Sequence, residues 1–228
     1  QRNSSAETSN TIMINASENA TANVTISNVN IDTSGAAVST GGKGNVNIEL
    51  DGTNTLKSGR GHAGLEKSQD GKLTITDENE NGKLIATGGD GAAGIGGGLY
   101  GDGNDITITG GEVTAAGGTN GAGIGGGLRK EGEKITVSGD ATLKVQGGLT
   151  DEWDGAGAGI GNGGSHNGDF SGSFTPVNGA ETEPDTSNLT TGKIEYYAPG
   201  ADMTKDEPTS TTFGSLVQPE PSSPGETG

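Results

Sequence analysis

The sequence predicts an all-β fold: a right-handed parallel β-helix, a β-solenoid with three short strands per coil and about five to six coils. Three observations predict it. Short β-branched triplets begin at Val24, Val46, Leu73, Ile106 and Ile135, at steps of 22, 27, 33 and 29 residues. Glycine supplies 46 of 228 residues while aromatics supply 3%, a composition that fills a narrow stacked column better than an ordinary globular core. One apolar residue bedded in glycine returns three times, as GAAGIGGG (91–98), GAGIGGG (121–127) and GAGAGIGNGG (155–164). Self-similarity of this kind marks a repeat architecture.

The elements follow in chain order. Residues 1–20 contain TIMIN, read as an N-terminal cap or edge coil. Residues 21–164 hold the repeats. Each triplet reads apolar, other, apolar, so its outer residues face one way and its middle residue the other. Val24 and Ile26 are expected to point inward and Thr25 outward. A second set of strands is expected at 29–31, 56–58, 84–86, 113–115 and 143–145, and a third at 36–38, 63–65, 93–95, 122–124 and 158–160. Gly, Asn and Asp clusters separate them, which is turn chemistry.

Stacking these coils predicts three outward ladders: Thr25–Asn47–Thr74–Thr107–Thr136, Asn30–Lys57–Ile85–Thr114–Lys144, and Ala37–Gly64–Gly94–Gly123–Gly159. In AGIG the Ala and Ile are expected to face the core and the Gly between them to face out, leaving the third wall bare. Parallel strands stack about 4.8 Å apart, so five coils make a rod on the order of 25 Å. Crossovers between parallel strands are right-handed in nearly all cases. Residues 165–203 read as an irregular segment closing on a capping strand in KIEYYAPGADM, and residues 204–228 as a flexible Pro/Ser/Glu-rich linker.

Composition excludes several function classes. The net charge of −17 opposes nucleic acid and anionic membrane surfaces. The absence of cysteine removes disulfides and thiolate metal sites. No 18-residue apolar run is present, so membrane insertion is not expected. A start at Gln1 reads as a mature or excised fragment. The glycine motif is not a phosphate loop, because no Gly-Lys-Ser/Thr ending and no helix follow it.

Binding sites in solenoids sit on insertions to the repeat. The spacing from second to third strand is 9 residues from Leu84 to Ala93 and 9 from Val113 to Ala122, but 15 from Leu143 to Ala158. The added residues lie in LTDEWD, which carries the single tryptophan, Trp153, beside Asp151, Glu152 and Asp154. An exposed indole flanked by carboxylates suits a pyranose, with the ring on its apolar face and the acids taking its hydroxyls. The competing reading folds Trp153 down as a lid on the column.

Acidic turns offer oxygen ligands for Ca²⁺. The candidates are Asp77 and Glu78 in TDENENG, Asp102 and Asp105 in GLYGDGND, and a corner expected to repeat as Asp90, Asn120 and Asp154. DGNDI resembles part of a calcium loop, without a complete EF-hand. The Thr ladder lacks the two clean adjacent columns that an ice-binding face needs. For catalysis, His62 and His166 fall on separate glycine-rich turns with no convincing triad, so the chain is read as not an enzyme.

The recurring GGDGAAGIGGG followed by ITITGGEVTAAGG, and the ending GKIEYYAPGADM, resemble β-helical carbohydrate-binding modules of surface proteins from gut and other clostridial Gram-positive bacteria, over residues 20–203. The resemblance implies a right-handed parallel β-helix, a secreted or cell-wall-attached location, and non-catalytic polysaccharide binding assisted by calcium. It transfers no binding residue, since the shared letters belong to the scaffold. The expected function is therefore an extracellular adhesin module binding a glycan or acidic polysaccharide, the partner being a polysaccharide or host glycan. The alternatives are a surface antigen engaging a host protein and, third, a polysaccharide lyase.

Overall fold

A computed structural model describes residues 6–68, 70–168 and 174–217. The first coil is β1 (Ile12–Ala16), β2 (Thr21–Ser27) and β3 (Asn30–Asp32), and the second is β4 (Val38–Gly42), β5 (Asn45–Asp51) and β6 (Thr53–Lys57). The third is β7 (Leu65–Lys67), β8 (Leu73–Thr76) and β9 (Lys83–Thr87); the fourth is β10 (Ile95–Gly96), β11 (Ile106–Ile108) and β12 (Glu112–Ala116). The fifth is β13 (Ile124–Gly125), β14 (Ile135–Val137) and β15 (Thr142–Gln146). A closing turn adds β16 (Ile160–Gly161), the hairpin β17 (Ser165–Asn167) and β18 (Thr175–Val177), then β19 (Lys193–Tyr197) and β20 (Ser210–Phe213).

Successive coils stack strand on strand. The first wall runs β1-β4-β7-β10-β13-β16, the second β2-β5-β8-β11-β14, and the third β3-β6-β9-β12-β15-β19-β20. All wall pairings are parallel except β19 with β20. The chain is thus a parallel β-helix of about five turns, as its sequence predicts.

The column between the walls is a set of aligned apolar rungs. Val38, Leu65, Ile95, Ile124 and Ile160 stack on the first wall, and Val46, Leu73, Ile106 and Ile135 on the second, each essentially buried. On the third wall the rung Leu84, Val113, Leu143, Ile194 begins with a polar residue, Asn54. Asn54 is fully buried yet satisfied: it accepts from the Val29 amide and donates to carbonyls of Asp51, Gly52 and Lys83. A buried amide persists where its bonds are made.

Three expectations are corrected. Thr25 pairs with Glu49, and Asn47 pairs with Asn23, so the first ladder runs Asn23–Asn47–Thr74–Thr107–Thr136. Likewise Thr55, not Lys57, lies between Asn30 and Ile85, while Lys57 pairs with Asp32 and Thr87. Both errors are shifts of two residues, which leave every side chain on its original face and so are invisible to alternation.

Second, Gly94 does not face solvent. A Cβ there would meet the Ala116 nitrogen and the Gly123 oxygen, both at 2.7 Å. The third-wall backbone lies directly against it, which glycine alone permits. Ile95 reaches the main column, whereas Ala93 packs with Ala92 and Ala63 in a small separate cluster.

Third, the expected linker over 204–228 does not begin at 204. Ser210–Phe213 forms β20 on β19, and the amides of Ser215 and Leu216 donate to Leu189 and Thr190. Residues 218–228 lie outside the described residues, as do 1–5 of the expected N-terminal cap and 169–173 of the expected irregular segment.

The closing turn covers the end of all three walls. Glu181 accepts from the Gly159 amide (2.7 Å) and the Ile160 amide (3.0 Å) at the end of the first wall. Asp185 and Leu189 bridge to Thr136 and Gly139 along the second, and β19 continues the third. Leu189 and Ile194 plug the column.

Candidate functional site

The insertion Leu149–Asp154 is bent by its own first acid. Asp151 Oδ1 accepts from the amides of Trp153 (2.8 Å) and Asp154 (2.7 Å), a side-chain-capped turn of the kind Asp favours. The Asp154 carbonyl accepts in return from the Asp151 amide (3.0 Å) and the Thr150 hydroxyl (2.9 Å).

Asn120 ties this loop to the coil below. Its amide nitrogen donates to the carbonyls of Asp154 and Gly155, each at 2.9 Å. Its backbone φ is +63°, matching Gly61 at +82° and Gly91 at +78° in earlier coils. The three are equivalent, since their amides donate to Asp90, Thr119 and Leu149 in turn. Asparagine tolerates this left-handed corner better than most residues. The corner expected to align Asp90, Asn120 and Asp154 is therefore out of frame: Asp90 stacks with Thr119, whose hydroxyl it accepts at 3.0 Å.

Asp154 is not an exposed ligand acid. It is 2% exposed. Arg129 holds it from one side with Nε to Oδ1 at 2.8 Å and Nη2 to Oδ2 at 2.7 Å, and His166 Nδ1 lies 2.9 Å from Oδ1 on the other. Burial by itself would push the Asp154 carboxyl up, but the hydrogen bonds from Arg129 and His166 and their charge outweigh it and hold the carboxyl below its usual range.

Above this buried pair lies an aromatic step. The Trp153 ring meets Phe174 edge to face at 5.3 Å, and Phe174 meets His166 at 4.5 Å, both at 81°. Trp153 remains 49% exposed, so it does not close the column as a lid. Asp151 and Glu152 are exposed beside it. One coil earlier, Tyr100 occupies the position equivalent to Arg129, with φ of +57° against +59°, and is also exposed. The edge thus presents Tyr100, the Arg129 guanidinium and Trp153 on successive coils.

The structure brings together Trp153, Asp151, Glu152 and Asp154, as their adjacency requires, and adds Arg129, His166, Phe174 and Asn120. The one legible signal for Arg129 is its register with Tyr100 in the repeated corner.

The acids expected to bind calcium are scattered, and the carboxylates of Asp77, Asp102 and Asp105 are engaged by neighbouring groups. Asp77 accepts from the amides of Asn81 and Gly82. The Glu78 amide donates to Glu49. Asp102 accepts from the Glu131 amide and lies 3.7 Å from the Lys130 ammonium, and Asp105 lies 3.9 Å from that of Lys134. Among the described residues no group of three His, Cys, Asp or Glu gathers as a metal site. The expected ligand acids therefore do not gather at one point among the described residues.

Compared with known proteins, the chain matches no family model, no curated protein and no solved structure.

Proposed function

We propose that this chain is a non-catalytic, extracellular glycan-binding module whose contact site is Trp153 with Arg129, Glu152 and Asp151. The observation that carries the reading is a half-exposed indole, packed on Phe174 beside an Arg129–Asp154–His166 network whose carboxylate is buried. An amphipathic ring with a fixed pose offers contact area at low entropic cost. The Trp153 face takes the C–H face of a pyranose, and the neighbouring carboxylates accept its hydroxyls. Asp154 serves here as the anchor that positions Arg129 and the loop. The net charge of −17 favours uncharged glycans over acidic polysaccharides.

Glycan-array binding of the wild type and Trp153→Ala tests this. Binding that disappears in Trp153→Ala, with the circular dichroism spectrum unchanged, supports it. Silence of the wild type across neutral glycans overturns it.

One observation favours a second reading. Leu149, exposed by 54% on the same insertion as Trp153, adds an apolar contact that a protein partner would cover. Capture of a host surface protein that is lost in both Leu149→Ser and Trp153→Ala would favour it.

A further inference from the structure

A cleft of about 590 Å³ opens between the third and fourth coils, lined by residues from His62 to Asp105, within the size range of small-molecule sites. It is separate from the Trp153 network. Glu66 Oε2 accepts from the Ala63 amide at 3.1 Å and lies 3.0 Å from His62 Nδ1. A carboxylate only accepts, so His62 Nδ1 carries a proton and donates it to Glu66. Lys67, 8% exposed, lines the same cleft. Its ammonium is disfavoured by desolvation, and Asp105 and Asp70 counter that.

The remaining lining divides by hydrogen-bonding role. Asn104 Oδ1 is taken by the Glu133 amide, which leaves its NH₂ to donate. Asp70 and Asp102 accept. Leu99, 42% exposed, forms an apolar wall. Donors and acceptors are therefore both present beside one apolar surface. Each hydroxyl of a sugar both donates and accepts, while the faces of its ring carry C–H groups, so the lining has the mixed chemistry a pyranose requires. Four lining carboxylates (Glu66, Asp70, Asp102, Asp105) outnumber the ammonium of Lys67 even with Lys130 beside Asp102 and Lys134 beside Asp105, and this excess opposes an anionic sugar.

We propose that this cleft is a second sugar site, taking an uncharged pyranoside and rejecting uronates. The ligand class rests on the glycan reading above, but the site does not share its residues.

The chain has two histidines, one in each site, so their imidazole signals in heteronuclear NMR report the sites separately once assigned with His62→Gln and His166→Gln. The probes are a neutral β-1,4-glucose tetramer and a galacturonate tetramer. The neutral tetramer is expected to shift the His62 signals and the galacturonate tetramer to leave them in place. Lys67→Met is expected to weaken the neutral tetramer about tenfold, and the surface change Asp70→Asn, which spares the fold, about threefold. A His62 signal that ignores the neutral tetramer while His166 responds overturns the cleft and leaves the Trp153 site standing. Silence at both overturns both, and an equal response to galacturonate overturns the selectivity.

Discussion

Arg129 grips Asp154 fork to fork across 25 residues of sequence, and the gripped carboxylate is almost wholly buried. Arg129 itself is partly exposed, but removing it leaves a buried carboxylate without its main partner. Arg129→Ala is expected to cost about 2–4 kcal/mol, His166 retaining part of the satisfaction. Urea denaturation measures it, and a loss within error of zero would show the pair to be incidental.

The same carboxylate makes stability fall in acid. Its folded pKa lies below the ordinary 3.8, so the unfolded chain takes up the proton first as pH drops. The stabilisation is complete above about pH 5 and is lost progressively as pH falls through 3.8 toward the folded value. Asp154→Asn is expected to be less stable at pH 7 and to have a flatter profile from pH 5 to 2. Parallel profiles for the two proteins would contradict this.

Asn120 combines a left-handed backbone with two side-chain bonds into the insertion. Asn120→Ala loses both advantages and is expected to destabilise by about 2–4 kcal/mol, whereas Asn120→Gly keeps the backbone and costs less. Both variants should lower the fluorescence anisotropy of Trp153 by loosening its loop. An unchanged anisotropy would mean that Asp151 alone holds the indole in place.

Glycines in this chain differ sharply in tolerance. Gly94→Ala drives a methyl into backbone of the third wall and is expected to prevent cooperative folding, while Gly35, with nothing within 4 Å of a Cβ, is expected to accept Ala within about 1 kcal/mol. Thermal melts of both variants give the comparison, and similar melting temperatures would refute the close packing.

Tyr196 reports the closing turn in alkali. Burial, then the charges of Glu181 and Glu183, push its phenol from 10.0 up to about 12. A raised folded value means stability is complete below pH 10 and is lost as pH climbs from 10 to about 12. Absorbance at the phenolate band should show a late-titrating tyrosine that disappears in Tyr196→Phe.

Chelation is expected to leave the melting temperature within about 1 °C, because ligand removal destabilises only where the ligand bound the native state. A drop of several degrees would return calcium to consideration.

The walls of the solenoid were legible because alternation and glycine corners recur coil after coil. Register was less so: Thr25 opposite Asn47 and Thr25 opposite Glu49 preserve the same pattern of faces. The insertion was visible from spacing alone. Its chemistry was not, because Arg129 reaches Asp154 through coil stacking across 25 residues and His166 reaches it from the β17 strand of the closing turn, 12 residues on. Asp154 read as exposed because its sequence neighbours are charged, although the loop turns it inward.

Glu181 has a consequence for assembly. Its two carboxylate oxygens occupy the Gly159 and Ile160 amides, which would otherwise invite a further strand. A second copy adding to this end of the first wall would have to evict the Glu181 carboxylate together with the 180–182 backbone that bonds to Ile160 and Asn162, so end-to-end stacking is blocked there by the closing turn.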